Sequence, residues 1–178
     1  MIAVINTTQG SFEVELFPSV APKTVANFVN LANSGFYNNV VWHRIVRGFV
    51  IQTGDPTSRN GAGNPNSWGS TGSSTTVPIE ANPTTVAQGY VHDEGYLGIA
   101  RGSDPNSGSS QFFVNLSSNS SLNGQYTVFG KVISGMDVVR AIGNLPVNPM
   151  CQRSGGTLCQ PINPSQAMIL TITIKNSA

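Results

Sequence analysis

The stretch HRIVRGFVIQTGD, residues 43–55, decides how this chain is read. It sets two arginines, Arg44 and Arg47, and a glutamine, Gln52, among apolar residues that otherwise form two strands of a hairpin, VVWHRIV and GFVIQTG, separated near Arg47 and Gly48. An exposed position on a strand is the ordinary fate of a lone arginine. Arg44 has particular company: Phe49, Val50 and Gln52 nearby, QFF at residues 111–113, and Leu122 beyond. Apolar groups with a few convergent donors are what a small-ligand or peptide site requires.

Outward from that hairpin, strand signals dominate. IAVINTT and SFEVELF alternate around TQG and read as an N-terminal β-hairpin. A first helix follows, with Pro22 suited to its first position, Val25, Phe28, Val29 and Ala32 recurring at helical spacing, and Gly35 where a left-handed stop belongs. YLGIA, QFFVNL and YTVFGKV are further strands, and GMDVVRAIG is a short second helix with Met136, Val139 and Ile142 on one side. MILTITIK alternates Met168, Leu170, Ile172 and Ile174 against polar neighbours, as a closing strand with an inward apolar set should. Between residues 55 and 88 the chain is rich in Gly, Ser, Thr, Asn and Pro, which predicts an ordered surface loop rather than an interdomain linker. Many antiparallel strands with two short helices over the openings predict a mainly β, single-domain fold over residues 1–178, a closed barrel without exposed edges.

Composition limits the function. The 178 residues suffice for one core, burying roughly 70 % of the unfolded surface. Nine Lys and Arg against eight Asp and Glu leave a net charge of +1, which offers no electrostatic case for nucleic acid or an anionic membrane. No apolar run approaches the ~20 residues of a membrane span, and MIAVINTTQG lacks the features of a signal peptide. The expected location is therefore the cytoplasm, or an exported compartment if a leader has been removed. Cys151 and Cys159 enclose QRSGGTL; without a nearby histidine they lack zinc-site company, and a disulfide is expected only in an oxidising compartment.

Taken in order, HRIVRGFVIQTGD, SGSSQFFVNL and YTVFGKVISGMDVV resemble the cyclophilin family of peptidyl-prolyl cis-trans isomerases, and the likeness runs from the VAPKTVANFVNLANSGFY helix to the last strand. The resemblance implies an eight-stranded antiparallel barrel capped by two short helices, with the substrate groove on its outer face. Carried over residue by residue, the catalytic arginine falls on Arg44 and the proline pocket on Phe49, Val50, Phe113 and Leu122. Gln52 and Gln111 line the groove, and Ala100 and Arg101 match the segment whose backbone holds the peptide. Val50 stands where many members have Met. Arg101, in place of an Asn, and one extra residue in GSDPNSGSS look like the bacterial-type branch. The usual groove aromatic aligns with Ser121 and the usual histidine with Tyr126, so weak cyclosporin binding is implied. The expected partners are proline-containing peptides and unfolded or partly folded proteins, the expected state is monomeric, and no cofactor or metal is called for.

The chemistry suits these residues on its own terms. Delocalisation of the imide nitrogen lone pair makes rotation about an Xaa-Pro bond cross a barrier of about 20 kcal/mol. A fixed guanidinium can donate to that nitrogen once twisting frees the lone pair, an interaction stronger in the transition state than in the ground state. The alternative is a non-catalytic module that binds proline peptides on the same fold. A carrier with its ligand inside the barrel conflicts with the bulky inward sets. His43 is expected on the opposite face from Arg44 as a satisfied core histidine. His92, Asp93 and Glu94 are adjacent residues that read as structure rather than as a metal site. Trp42 reads as core, and Trp68 as either an exposed contact or the anchor of the long loop.

Overall fold

The computed structural model describes residues 1–151 and 158–176. Strands β1 (Ile2–Thr7) and β2 (Gly10–Leu16) form the first hairpin, in register from Ile2 opposite Glu15 to Thr7 opposite Gly10. Alternation sends Ala3, Ile5, Phe12, Val14 and Leu16 into the core. Helix α1 (Pro22–Asn33) begins with proline and lacks a local side-chain cap. Its cap comes from 56 residues away: the Glu80 carboxylate accepts from the Lys23 and Thr24 amides at 3.0 and 2.8 Å and from the Thr24 hydroxyl at 2.7 Å. A negative charge at that end also suits the helix dipole. Gly35 follows with φ +73°, the expected left-handed stop.

The remaining strands are β3 (Arg44–Val46), β4 (Val50–Thr53), β5 (Tyr96–Ile99), β6 (Phe112–Asn115), β7 (Val128–Ser134) and β8 (Ile169–Lys175). They form one antiparallel sheet in the order β3-β4-β6-β5-β7-β2-β1-β8. The eight strands are those expected, but the barrel is not fully closed. β3 and β8 remain the two edges of a strongly curled sheet, and among the described residues the seam between them is crossed by one bridge, Val41 to Met168. The reason is local. β3 is three residues long, and the Ile45 amide on its outer edge donates to the Cys159 carbonyl at 2.8 Å, so the segment around Cys159 occupies the place a continuous β8 ladder would take.

Among the described residues three α-helices are present where two were expected. The extra one, α2 (Pro83–Ala87), lies in the Gly/Ser-rich segment and is held by a capping box between Asn82 and Thr85. Five residues are too few to display helical periodicity. α3 (Met136–Gly143) packs against β2, β3 and β4 and buries Val139 and Ile142, whereas α1 packs against β8. The long segment is otherwise ordered by 3-10 turns at Pro56–Gly61 and Pro65–Ser67.

The interior is filled by Phe12, Phe28, Tyr37, Trp42, Phe112 and Phe129, with Phe28 and Trp42 edge-on to Phe112 at 5.4 and 5.8 Å between ring centres. These packed rings occupy the space where a carrier would hold its ligand. The inward set of β8 differs from expectation: Ile169 and Ile172 are buried while Leu170 is 42 % exposed. A register shift, with Thr7 opposite Ile169 but Asn6 opposite Thr171, inserts one unpaired residue and turns the alternation over. Cys151 and Cys159 form a disulfide.

Candidate active site

The site is built on four neighbouring strands. Arg44 on β3 faces Gln52 on β4, Gln52 faces Phe113 on β6, and Phe113 faces Gly98 on β5. Residues directly opposed across a sheet share a face, so these four form one row on the outside of the curl. Their neighbours in each strand, Ile45, Ile51, Phe112, Leu97 and Ile99, point the other way and belong to the core. Strand alternation alone thus places a cation, an amide and an aromatic ring side by side on a face that could otherwise have been plain surface.

Arg44 is half-buried, and burial draws its guanidinium below its usual pKa. Its Nη1 donates to Gln52 Oε1 at 3.5 Å, and its Cζ lies 5.8 Å from the centre of the Phe49 ring. Gln52 Nε2 in turn donates to Gln111 Oε1 at 2.9 Å. Phe49 sits in the β3–β4 turn, where its carbonyl accepts from the Leu116 amide at 2.8 Å and from Asn119 Nδ2 at 3.0 Å. Asn119 thereby ties Phe49 to the 3-10 turn Ser120–Leu122 that carries Leu122. Val50, two residues before Gln52 on the same face, is almost wholly buried.

Phe113 is 4 % exposed and stacks on His92 at 5.5 Å, with Tyr126 edge-on at 5.9 Å. His92 stands behind the ring rather than in the groove. Its Nδ1 meets Asn115 Nδ2 at 3.2 Å and its Nε2 meets the Tyr126 carbonyl at 3.1 Å, which assigns the proton to Nε2. Gly98 lets the ring lie flat: a Cβ there would collide with Phe113 Cζ and come within 2.8 Å of His92 Cε1. Tyr126 is covered on its other side by Arg101, whose Cζ is 4.8 Å from the ring centre and whose Nε donates to the Gln125 carbonyl at 3.0 Å. Two hollows of about 340 and 270 Å³ adjoin this row, the first lined by Gln52, Ala100, Arg101 and Gln111, the second by His43, Arg44, Gln52 and Trp68; both are walled by Gly69 and Ser70.

Most of the expected site residues are thus assembled. Arg44, Phe49, Gln52, Gln111, Phe113, Tyr126 and Arg101 are linked by direct contacts, and Leu122 accepts from the Tyr126 amide at 3.3 Å. The Ala100 amide donates to the Gln111 carbonyl at 3.0 Å. Ser121 is exposed on its turn. His43 departs from expectation. It is buried, yet it lines the smaller hollow together with Arg44, and its ring makes only weak polar contacts, with the Gln111 side chain and the Val41 backbone. Burial pushes its pKa down to about 4, against a weaker opposing pull from the Asp55 carboxylate. Trp68 is buried, its indole N–H donating to the Ala62 carbonyl at 2.9 Å, and so is the loop's anchor. Glu94 pairs with Arg140 at 2.7 Å, Asp93 accepts from Ser118, and no metal-binding cluster occurs among the described residues. Sequence reasoning missed Asp55, Asn119 and the supporting role of His92.

The family model for cyclophilin type peptidyl-prolyl cis-trans isomerases matches residues 2–157. The chain is 42 % identical over 143 residues to peptidyl-prolyl cis-trans isomerase-like 1 of Aspergillus niger, covering 80 % of this chain and 82 % of that one. It is 39 % identical over 147 residues to the human peptidylprolyl isomerase domain and WD repeat-containing protein 1, covering 83 % of this chain and 21 % of that longer protein. Among solved structures, a Cryptosporidium parvum cyclophilin type isomerase crystallised in the presence of the dipeptide Ala-Pro superposes with a TM-score of 0.79 at 32 % identity, over 99 % of this chain and all of that one. These curated relatives are fungal and mammalian, so the bacterial-type placement drawn from Arg101 and the extra loop residue is not supported. A loop substitution and a one-residue insertion are changes that any lineage tolerates.

Proposed function

This chain belongs to the cyclophilin-type peptidyl-prolyl cis-trans isomerases, and from that premise we propose how its groove turns an Xaa-Pro bond. Arg44 is the group that acts on the reacting nitrogen. The observation that carries this reading is the row Arg44, Gln52, Phe113, Gly98, which sets a restrained guanidinium beside an aromatic floor. Gln52 takes one donor of Arg44 and restrains the rest of the fork, leaving other N–H groups for the groove. As the bond twists, the nitrogen becomes pyramidal and accepts from the guanidinium. Because the planar imide offers no such lone pair, the interaction lowers the barrier rather than merely tightening binding.

Phe49, Val50, Phe113 and Leu122 grip the proline ring, and Tyr126 is the wall of that pocket. Tyr126 is held between Phe113 and Arg101, which supports its role as a fixed surface. With its own amide committed to Gln111, Ala100 meets the peptide through its carbonyl, beside Arg101; Gln111 lines the same side. One side of the bond is clamped while the other turns, and the step needs neither nucleophile nor cofactor. Its substrates are proline-containing peptides and partly folded chains, and the protein acts as a monomer. A protease-coupled isomerisation assay on a short Xaa-Pro peptide tests the reading: catalysed relaxation supports it, and tight peptide binding without acceleration favours the non-catalytic module.

A further inference from the structure

Asp55 ends the stretch HRIVRGFVIQTGD, two residues beyond β4, and no part of the mechanism above uses it. Its side chain is wholly buried, yet it bears a carboxylate. Burial alone would raise its pKa; hydrogen bonds from Thr71, Thr57 and Gly69 outweigh that and hold it below the usual carboxylate range. Oδ1 accepts from the Thr57 amide at 2.8 Å, the Thr57 hydroxyl at 2.7 Å and the Thr71 hydroxyl, while Oδ2 accepts from the Gly69 and Thr71 amides at 2.6 and 3.2 Å. Three of these five donors belong to two residues, Gly69 and Thr71, whose carbonyls face the groove. The Gly69 and Thr71 carbonyls accept from Gln111 Nε2 at 2.9 and 2.7 Å.

Those two carbonyls dictate the direction of everything that follows. Reversing the Gln111 amide would set its oxygen against two carbonyl oxygens, so Nε2 must face the loop and Oε1 must face Gln52. Gln52 therefore donates to Gln111 and presents its own Oε1 to Arg44. Reversed, Gln52 would point an NH2 at a guanidinium, and Arg44 would lose the acceptor that restrains it. We propose that Asp55 is a positioning residue for Arg44, acting through the Gly69 and Thr71 carbonyls, Gln111 and Gln52, whose amides the loop forces into one orientation. The inference rests on the role assigned to Arg44 above.

The test compares Asp55→Asn in two backgrounds, the unmodified chain and Gln52→Ala, which cuts the relay before it reaches Arg44. An Asn cannot accept on both sides, so either the Thr57 amide or the Gly69 and Thr71 amides lose their acceptor and the loop around them must shift. In the unmodified background kcat/KM is expected to fall about tenfold, mostly in kcat, as for a catalytic group displaced by a fraction of an ångström. In the Gln52→Ala background the further fall should be under about twofold, while the drop in Tm is the same in both. A merely structural role would move activity equally in the two backgrounds, and that result, or no loss at all in the unmodified chain, overturns the inference. If Asp55→Asn does not fold, Thr71→Val removes one of the five donors and is run through the same cycle, with about a threefold loss expected only when Gln52 is present. Arg44→Ala is measured alongside. Full activity there overturns the Arg44 assignment and this inference with it, whereas a large loss in Arg44→Ala together with equal Asp55→Asn effects overturns this inference alone.

Discussion

Arg44 and Gln52 are directly opposed residues of the β3–β4 hairpin, with Arg44 Nη1 3.5 Å from Gln52 Oε1. That pairing depends on register: a slip of one residue would turn Gln52 into the core and Ile51 to the groove. Gln52→Leu should keep the fold and lower kcat/KM by roughly 10-fold, since Arg44 keeps its charge and loses its restraint. Steady-state kinetics showing the loss in KM with kcat unchanged would assign Gln52 to substrate binding instead.

Gly98 is the groove's least conspicuous requirement. Gly98→Ala puts a methyl into Phe113 and His92 and should cost about 1 to 3 kcal/mol of stability as those rings shift. With Phe113 as the proposed pocket floor, KM for an Xaa-Pro peptide should rise well beyond what the stability loss explains. Unchanged KM in a folded Gly98→Ala protein contradicts the placement of Phe113 in the proline pocket.

Activity and stability should respond differently to pH. In the proposed mechanism no step titrates a base, and burial lowers the pKa of both His43 and His92, so kcat/KM should be nearly flat between about pH 6 and 8. Stability is another matter. The folded pKa of His43, about 4, lies below its unfolded value near 6.5, so between those limits the unfolded chain holds the extra proton. Its contribution is fully present above about pH 6.5 and is lost as pH falls toward 4, by up to about 3 kcal/mol across the window. His92 acts in the same direction. Denaturant melts at pH 7 and pH 4.5 should show a smaller difference for His43→Gln than for the unmodified chain; equal differences would show that His43 is not the source.

Ser121 is exposed on the Ser120–Leu122 turn, where a large aromatic would extend the groove wall beside Leu122. Burial of such a side chain contributes on the order of 1.5 to 3 kcal/mol, so Ser121→Trp should tighten cyclosporin binding by roughly one to two powers of ten with little change in kcat/KM. Trp68 cannot take that place while its indole N–H is bound to Ala62 in the loop. Calorimetry giving equal affinities for the two proteins would contradict the assignment of position 121.

How far this architecture is legible in the sequence follows from the range of each signal. The hairpin of residues 43–55 and the strand holding Phe113 were readable because period-two alternation and the spacing of their polar residues are local. The β8 alternation misled at Leu170 because a bulge depends on the partner strand, and nothing in MILTITIK marks it. The open seam depends on the Cys159 carbonyl reaching Ile45, 114 positions earlier in the chain. Helix α2 did carry a local signal, Asn82 and Thr85 around Pro83, too short to stand out in a polar segment. Asp55 was hidden for a different reason. Its five donors come from residues 57, 69 and 71, and a carboxylate after a strand reads as a turn residue until the loop is folded back over it.

The central claim is that Arg44 stabilises the twisted imide. Its most direct test is kcat/KM of Arg44→Ala on an Xaa-Pro peptide, with circular dichroism to confirm the fold. By analogy with other preorganised donors, a loss of roughly 3 to 4 kcal/mol in transition-state stabilisation is expected, which is two to three powers of ten in rate with KM little changed. A folded Arg44→Ala protein that keeps near-normal kcat/KM would contradict the account.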